Sequence, residues 1–129
     1  MNRFSLFRRA ILTAFAVSPL VAGHAVAHHG WAWTDDEPFE LTGTIEEIYL
    51  GNPHATLSIR AEDGVWDVDL APPRRTAQSG FVEGVAEPGD DVTAYGYRSR
   101  DENERRMKAA RIVIDGDTYD VYPERAQAF

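Results

Sequence analysis

The chain contains no cysteine. A disulfide framework, a thiolate metal site and a cysteine nucleophile are therefore excluded together. Methionine is scarce, at 2 residues, so a thioether-rich site for a soft metal has little material. Basic residues are outnumbered, 13 Lys and Arg against 21 Asp and Glu. Binding nucleic acid or an anionic membrane surface calls for clustered cations, and this balance argues against both. No phosphate-cradling glycine loop, nucleophile elbow or Ser-His-Asp arrangement can be read from the 129 residues, so nothing marks an enzyme. Long apolar runs are lacking too, except near the start, and that one is broken by Pro19. It is too short and interrupted to predict a stable membrane span.

That first stretch differs from the rest. Arg3, Arg8 and Arg9 are the only charged side chains before residue 28, an apolar middle follows, and Ala25-Val26-Ala27 closes it with small residues. This is the pattern of a secretory signal peptide over residues 1–27, which predicts a periplasmic or secreted protein. The "FRRAIL" start leaves Sec and twin-arginine export both open. Three of the 13 basic residues and none of the 21 acidic ones lie in the leader, so the remainder carries a net charge of −11. Such acidity suits solubility and the attraction of cations.

The remainder reads as strands and turns. "FELTGTIEEIYL" (39–50) alternates through Phe39, Leu41, Gly43 and Ile45, then slips phase at "EEI", which predicts a bulge in a long first strand. "GNP" (51–53) is turn chemistry. "HATLSIR" (54–60) sets Ala55, Leu57 and Ile59 on one face and His54, Thr56 and Ser58 on the other. After the "EDG" hairpin signal, "VWDVDL" (65–70) points Trp66, Val68 and Leu70 inward and Asp67 and Asp69 outward. "RRTAQS", between prolines and Gly80, fits one or two helical turns. "VTAYGYR" (92–98) and "KAARIVI" (108–114) are strands, the first with a mid-strand glycine of the kind that marks a tight bend. "TYDVYP" (118–123) forms a last short strand, and "ERAQAF" (124–129) reads as a frayed, disordered tail.

Three strands, a helix and two more strands predict an all-β fold: a small OB-fold-like, five-stranded antiparallel barrel with one short helix between strands 3 and 4. An open sheet or small sandwich is the competing architecture. The expected layout is a leader over 1–27, an N-terminal arm over 28–38, the barrel over 39–123 and the tail.

"AHHGW", "LTGTIEEIYLGNPH", "PGDDVTAYG" and "AARIVIDG" together resemble a family of small exported bacterial proteins. Its members usually read Ala-His-His-Ser-Phe, then a Thr-Gly strand, Asn-Pro-His and Pro-Gly-Asp. Here Gly30-Trp31 replaces Ser-Phe. That family has no known function, so the resemblance implies a fold and no activity.

Beyond the leader only His28, His29 and His54 are histidines. If cleavage follows Ala27, His28 carries a free α-amine beside its imidazole. With ordinary pKa values of roughly 8 and 6.5, the two chelate a metal near neutral pH. A third nitrogen, from His54, completes the T-shaped set called a histidine brace, and such nitrogen donors favour Cu(II). His29 is the weaker candidate ligand, expected beside the metal rather than on it. If cleavage follows Ala25 instead, Val-Ala-His makes a different copper site through amine, amides and imidazole. The expected function is copper carriage or buffering, with transfer to a periplasmic partner protein. The alternative is a metal-free module that docks a protein, peptide or glycan through an aromatic rim.

Other residues have ordinary explanations. Trp31 and Trp33 anchor the arm by packing. Asp35, Asp36 and Glu37 are adjacent, converge poorly on one ion, and form a solvated link. Asp67 and Asp69 are exposed strand residues, and Met107 fills the core rather than ligating copper.

Overall fold

In the computed structural model, residues 30–129 are described. Strand β1 (Phe39–Tyr49) buries Leu41 and Ile45 and turns its glutamates outward. Its register with β2 (Thr56–Ala61) shifts between Ile45 and Glu47, at the phase slip in the sequence. The bulge bends β1, so its first half pairs with β4 (Asp91–Arg98) and its second with β2. A tight turn joins β2 to β3 (Gly64–Asp69), pairing Leu57 with Val68 and Ile59 with Trp66.

β5 (Arg106–Ile114) runs antiparallel to β4 and parallel to β3, over Asp67–Arg106, Val68–Met107 and Asp69–Lys108. This closes the barrel in the order β1-β2-β3-β5-β4. The closing pair corrects the expectation of a wholly antiparallel barrel. β1 and β3 point one way, β4 opposes β1, and β5 opposes β4. β5 therefore points along β3, and only a parallel pair can close the ring. The second half of β5 carries β6 (Asp117–Asp120) as a hairpin arm outside the closure.

Inside lie Leu41, Ile45, Leu57, Ile59, Trp66, Val68, Leu70, Val92, Met107 and Ile112, all buried. Helix α1 (Pro73–Gln78) stands between β3 and β4, with proline in its first turn, where a missing N–H costs nothing. Thr76 is buried on it and donates from Oγ1 to the Ala71 carbonyl at 2.8 Å. Phe81 follows the helix and packs into the core against Tyr119.

Two mid-strand glycines permit the closure. A Cβ on Gly43 would overlap the Arg60 carbonyl oxygen, and one on Gly96 would overlap that of Lys108. At Gly96 the β4–β5 register also shifts.

The tail departs from expectation. β6 ends at Asp120, and Pro123–Ala126 forms a second short helix, α2. Ala126 is buried with Ala71, Ala110, Val121 and Tyr122, and Phe129 packs against them. The proline that stopped the strand pattern starts this helix, and small residues let it sit on β5.

Candidate functional site

The site is built where β2, β3 and β5 meet at one end of the barrel. Ala55 is fully buried and extends the sheet, donating its N–H to the Ala71 carbonyl at 2.9 Å and accepting from Leu70 N–H at 2.8 Å. That anchored backbone turns the His54 side chain out to the rim, where it is 21 % exposed. Its Nδ1 lies 3.2 Å from the Ala55 carbonyl oxygen. A carbonyl can only accept, so Nδ1 carries the hydrogen, and Nε2 is left to face the groove.

What Nε2 faces is a carboxylate. Asp69 Oδ2 lies 3.9 Å from His54 Nε2 and accepts a 2.6 Å hydrogen bond from Arg106 Nη2. Asp69 is 4 % exposed, which corrects its assignment to the solvent face. The cause is the parallel partner. β5 lays Arg106 and Lys108 alongside the end of β3, and the arm covers them. Asp67 is exposed as expected. Thr56, Leu57, Ser58, Asp67, Glu104 and Arg105 also line the open groove around His54, Asp69 and Arg106.

The arm reaches this place by specific bonds. Thr34 bridges to Ser99, Asp35 N–H donates to the Arg98 carbonyl at 2.8 Å, and Arg100 N–H donates to Trp33 O at 3.1 Å. Trp31 packs edge-on against Tyr97 and Tyr122, at ring-centre distances of 5.8 and 4.9 Å, under the Arg125 guanidinium. Trp33 lies 4.4 Å from the guanidinium carbon of Arg106, the same residue that holds Asp69. Both tryptophans thus face the barrel. Lys108 Nζ donates to the Gly30 carbonyl at 3.2 Å, and Lys108 is the register partner of Asp69. Burial holds the Lys108 ammonium below the ordinary lysine value; Asp69 pulls the other way, while Arg125 and Arg106 add to the lowering. Burial likewise raises the Tyr122 phenol.

His28 and His29 lie outside the described residues, two positions and one position before Gly30. Met107 is fully buried in the barrel, so its sulfur faces no groove. Asp35, Asp36 and Glu37 are exposed, and Asp35 Oδ1 accepts from the next two backbone N–H groups as a local turn. Among the described residues, no group of three or more His, Asp or Glu could hold a metal ion. His54 and Asp69 face each other as a pair, and Asp67 and Glu104 line the same groove. Sequence reasoning set Asp69 aside as an exposed strand residue and did not single out Arg106 or Lys108. The signal was available: closure puts "DVD" beside "RRMK", opposite charges on adjacent strands.

A family model described as "Family of unknown function (DUF6152)" matches residues 17–108, and the chain belongs to that family. No curated protein matches. Among solved structures, it is similar to part of TiaS with its ZRD deleted, in complex with agmatine: 20 % identity and a TM-score of 0.49 over 66 % of this chain and 26 % of that one. TiaS in complex with tRNA, AMPCPP and agmatine gives 21 % and 0.48, over 60 % and 18 %. Apo TiaS, a tRNA agmatidine synthetase, gives 22 % and 0.47, over 60 % and 18 %. The chain thus spans about a quarter or less of the length of these structures. Among the described residues, no helix is long and apolar enough to cross a membrane.

Proposed function

We propose that this is an exported copper-binding protein that carries or buffers the metal and passes it to a periplasmic partner. Cleavage after Ala27 gives His28 a free amine. That amine, the His28 imidazole and His54 Nε2 form the three-nitrogen set, with His29 beside the metal rather than on it. The observation that carries the reading is the orientation of His54. The Ala55 carbonyl occupies Nδ1, which leaves Nε2, the proposed metal-binding nitrogen, turned to the groove 3.9 Å from Asp69 Oδ2, a carboxylate held by Arg106. A ligating histidine held through its other nitrogen is the usual outer-shell arrangement of metal sites.

Reach supports it as well. Gly30 is tied to Lys108, the strand neighbour of Asp69, and Asp69 lies against His54. Residue 28 lies two positions before Gly30, a span of at most about 7 Å of extended chain. An all-nitrogen set in a planar arrangement favours Cu(II) over the other divalent metals of its row.

Titration of Cu(II) into protein that begins at His28 tests this. One equivalent should bind. Affinity should fall about a hundredfold in His54→Ala, and again when one residue is added ahead of His28, each step being worth about 2.7 kcal/mol. Indifference to both changes would overturn the proposal. The intact mass of the exported protein should correspond to a chain starting at His28; a start at Val26 would transfer the amine to another residue and change the ligand set.

A further inference from the structure

We infer that the groove between the far half of β1 and segment 81–88 docks an extended peptide segment of a partner protein, one that alternates apolar with basic side chains. None of the residues lining this groove lines the one around His54, and the inference is independent of the copper reading.

The groove exists because β1 is covered on one side for only half its length. β4 pairs with it from Phe39 to Thr44, and Ile45 exchanges backbone hydrogen bonds with Asp90 and Gly89. From Glu47 to Tyr49 β1 pairs with β2 alone, so its other side has no strand neighbour among the described residues. An open sheet edge is where an extended chain can add as a further strand. The opening measures about 350 Å³ and is walled by Ile48, Leu50, Phe81, Val82, Ala86 and Pro88. Phe81 belongs to the core, and Ile48 and Leu50 pack against it, so the floor is fixed. Val82 is 43 % exposed and Tyr49 51 %, two of the three large apolar side chains that stand exposed among the described residues. Apolar surface of this kind with a charged rim marks a contact face.

Charge selects the partner. Glu83 and Glu87 stand at the groove, and Glu46 and Glu47 in an adjoining hollow that shares Ile48 and Pro88 with it. No Lys, Arg or His lines either. Arg60 pairs with Glu46, whereas Glu47, Glu83 and Glu87 have no ion-pair partner among the described residues. A second copy of this chain on the same face would set carboxylates against carboxylates. Basic side chains would pair with them instead. The alternation follows from β1 itself, where Glu47 and Tyr49 are exposed and Ile48 packs on the core. A strand added alongside places its apolar side chains beside Ile48 and its basic ones beside Glu47.

The test uses nitrogen-15-labelled protein beginning at His28 and a synthetic heptapeptide that alternates lysine with valine, at pH 7 and low salt. The peptide should shift the amide resonances of residues 46–50 and 81–88 and leave those of residues 104–106 in place. Affinity should fall at least about tenfold in Glu83→Lys combined with Glu87→Lys, and in Val82→Asp, all exposed positions whose replacement spares the core. Peptides that alternate glutamate with valine, or lysine with serine, should bind at least about tenfold more weakly. Equal binding of the lysine and glutamate peptides with valine overturns the proposal, as does an absence of shifts at 46–50 and 81–88. A dimer that forms without peptide and is dissociated by Val82→Asp also overturns it, because the face is then a contact between copies of this chain. Copper binding succeeds or fails on the same protein without moving any of these outcomes.

Discussion

Asp69 shows how one residue changes meaning when a neighbouring strand is added. Alternation along β3 assigns it to the outer face, and it is on that face. Periodicity cannot say that β5, Arg106 and the arm cover that face at this end. The Asp69 side chain is 6 % exposed and that of its partner Arg106 24 %, so the pair is desolvated enough to matter. Asp69→Asn leaves Arg106 without its charge partner and should cost about 1–3 kcal/mol in urea unfolding at pH 7. Lys108 has the opposite balance. Burial holds its ammonium below the ordinary value of 10.5, so the folded chain releases this proton before the unfolded chain does. Its contribution to stability therefore rises with pH in the window just below that value, because the unfolded state binds more protons there. Urea unfolding at pH 7 and pH 10 should show wild type gaining on Lys108→Met between the two. Tyr122 works in reverse: its raised phenol makes the fold lose stability as pH climbs above 10.0, where the unfolded chain ionises first. His54 was legible from the residues alone, because its phase relative to Ala55, Leu57 and Ile59 placed it on the rim.

Among the elements, the strands were the most readable. The slip at "EEI" is the β1 bulge, and the glycine in "TAYGYR" marks the place where β4 shifts against β5. The reason for that glycine is steric: β4 and β5 approach so closely that a methyl group would meet the Lys108 carbonyl oxygen. Gly96→Ala should thus cost more than about 2 kcal/mol by thermal unfolding, since backbone rather than a flexible side chain has to move. A cost below about 0.5 kcal/mol would mean that the strands can separate locally without loss of closure. The tail was misjudged because short polar segments carry little propensity signal. α2 is four residues long and exists by packing Ala126 and Phe129 against β5 and the arm, a tertiary cause absent from local sequence. The arm is a similar case. Its tryptophans were readable as anchors, but the cage of Tyr97, Tyr122, Lys108 and Arg125 around Trp31 draws on residues more than sixty positions away.

For the whole molecule, the parallel β3–β5 pair follows from counting strand directions and needs no structure. It is also what assembles the site, because it brings the acidic end of β3 against the basic start of β5 and places the rim histidine beside both. With no cysteine in the chain and Met107 sealed in the barrel, the described residues offer nitrogen and oxygen donors at the surface and nothing softer. Under the proposed function, that chemistry and the excess of acidic residues favour a cation as the ligand. The family carries no assigned activity, so the decision belongs to the metal's own spectrum. Electron paramagnetic resonance of protein beginning at His28, loaded with one equivalent of Cu(II), reads the donor atoms directly. Three nitrogen couplings in wild type, reduced to two in His54→Ala, are the predicted result. A spectrum that His54→Ala leaves unchanged would contradict the account.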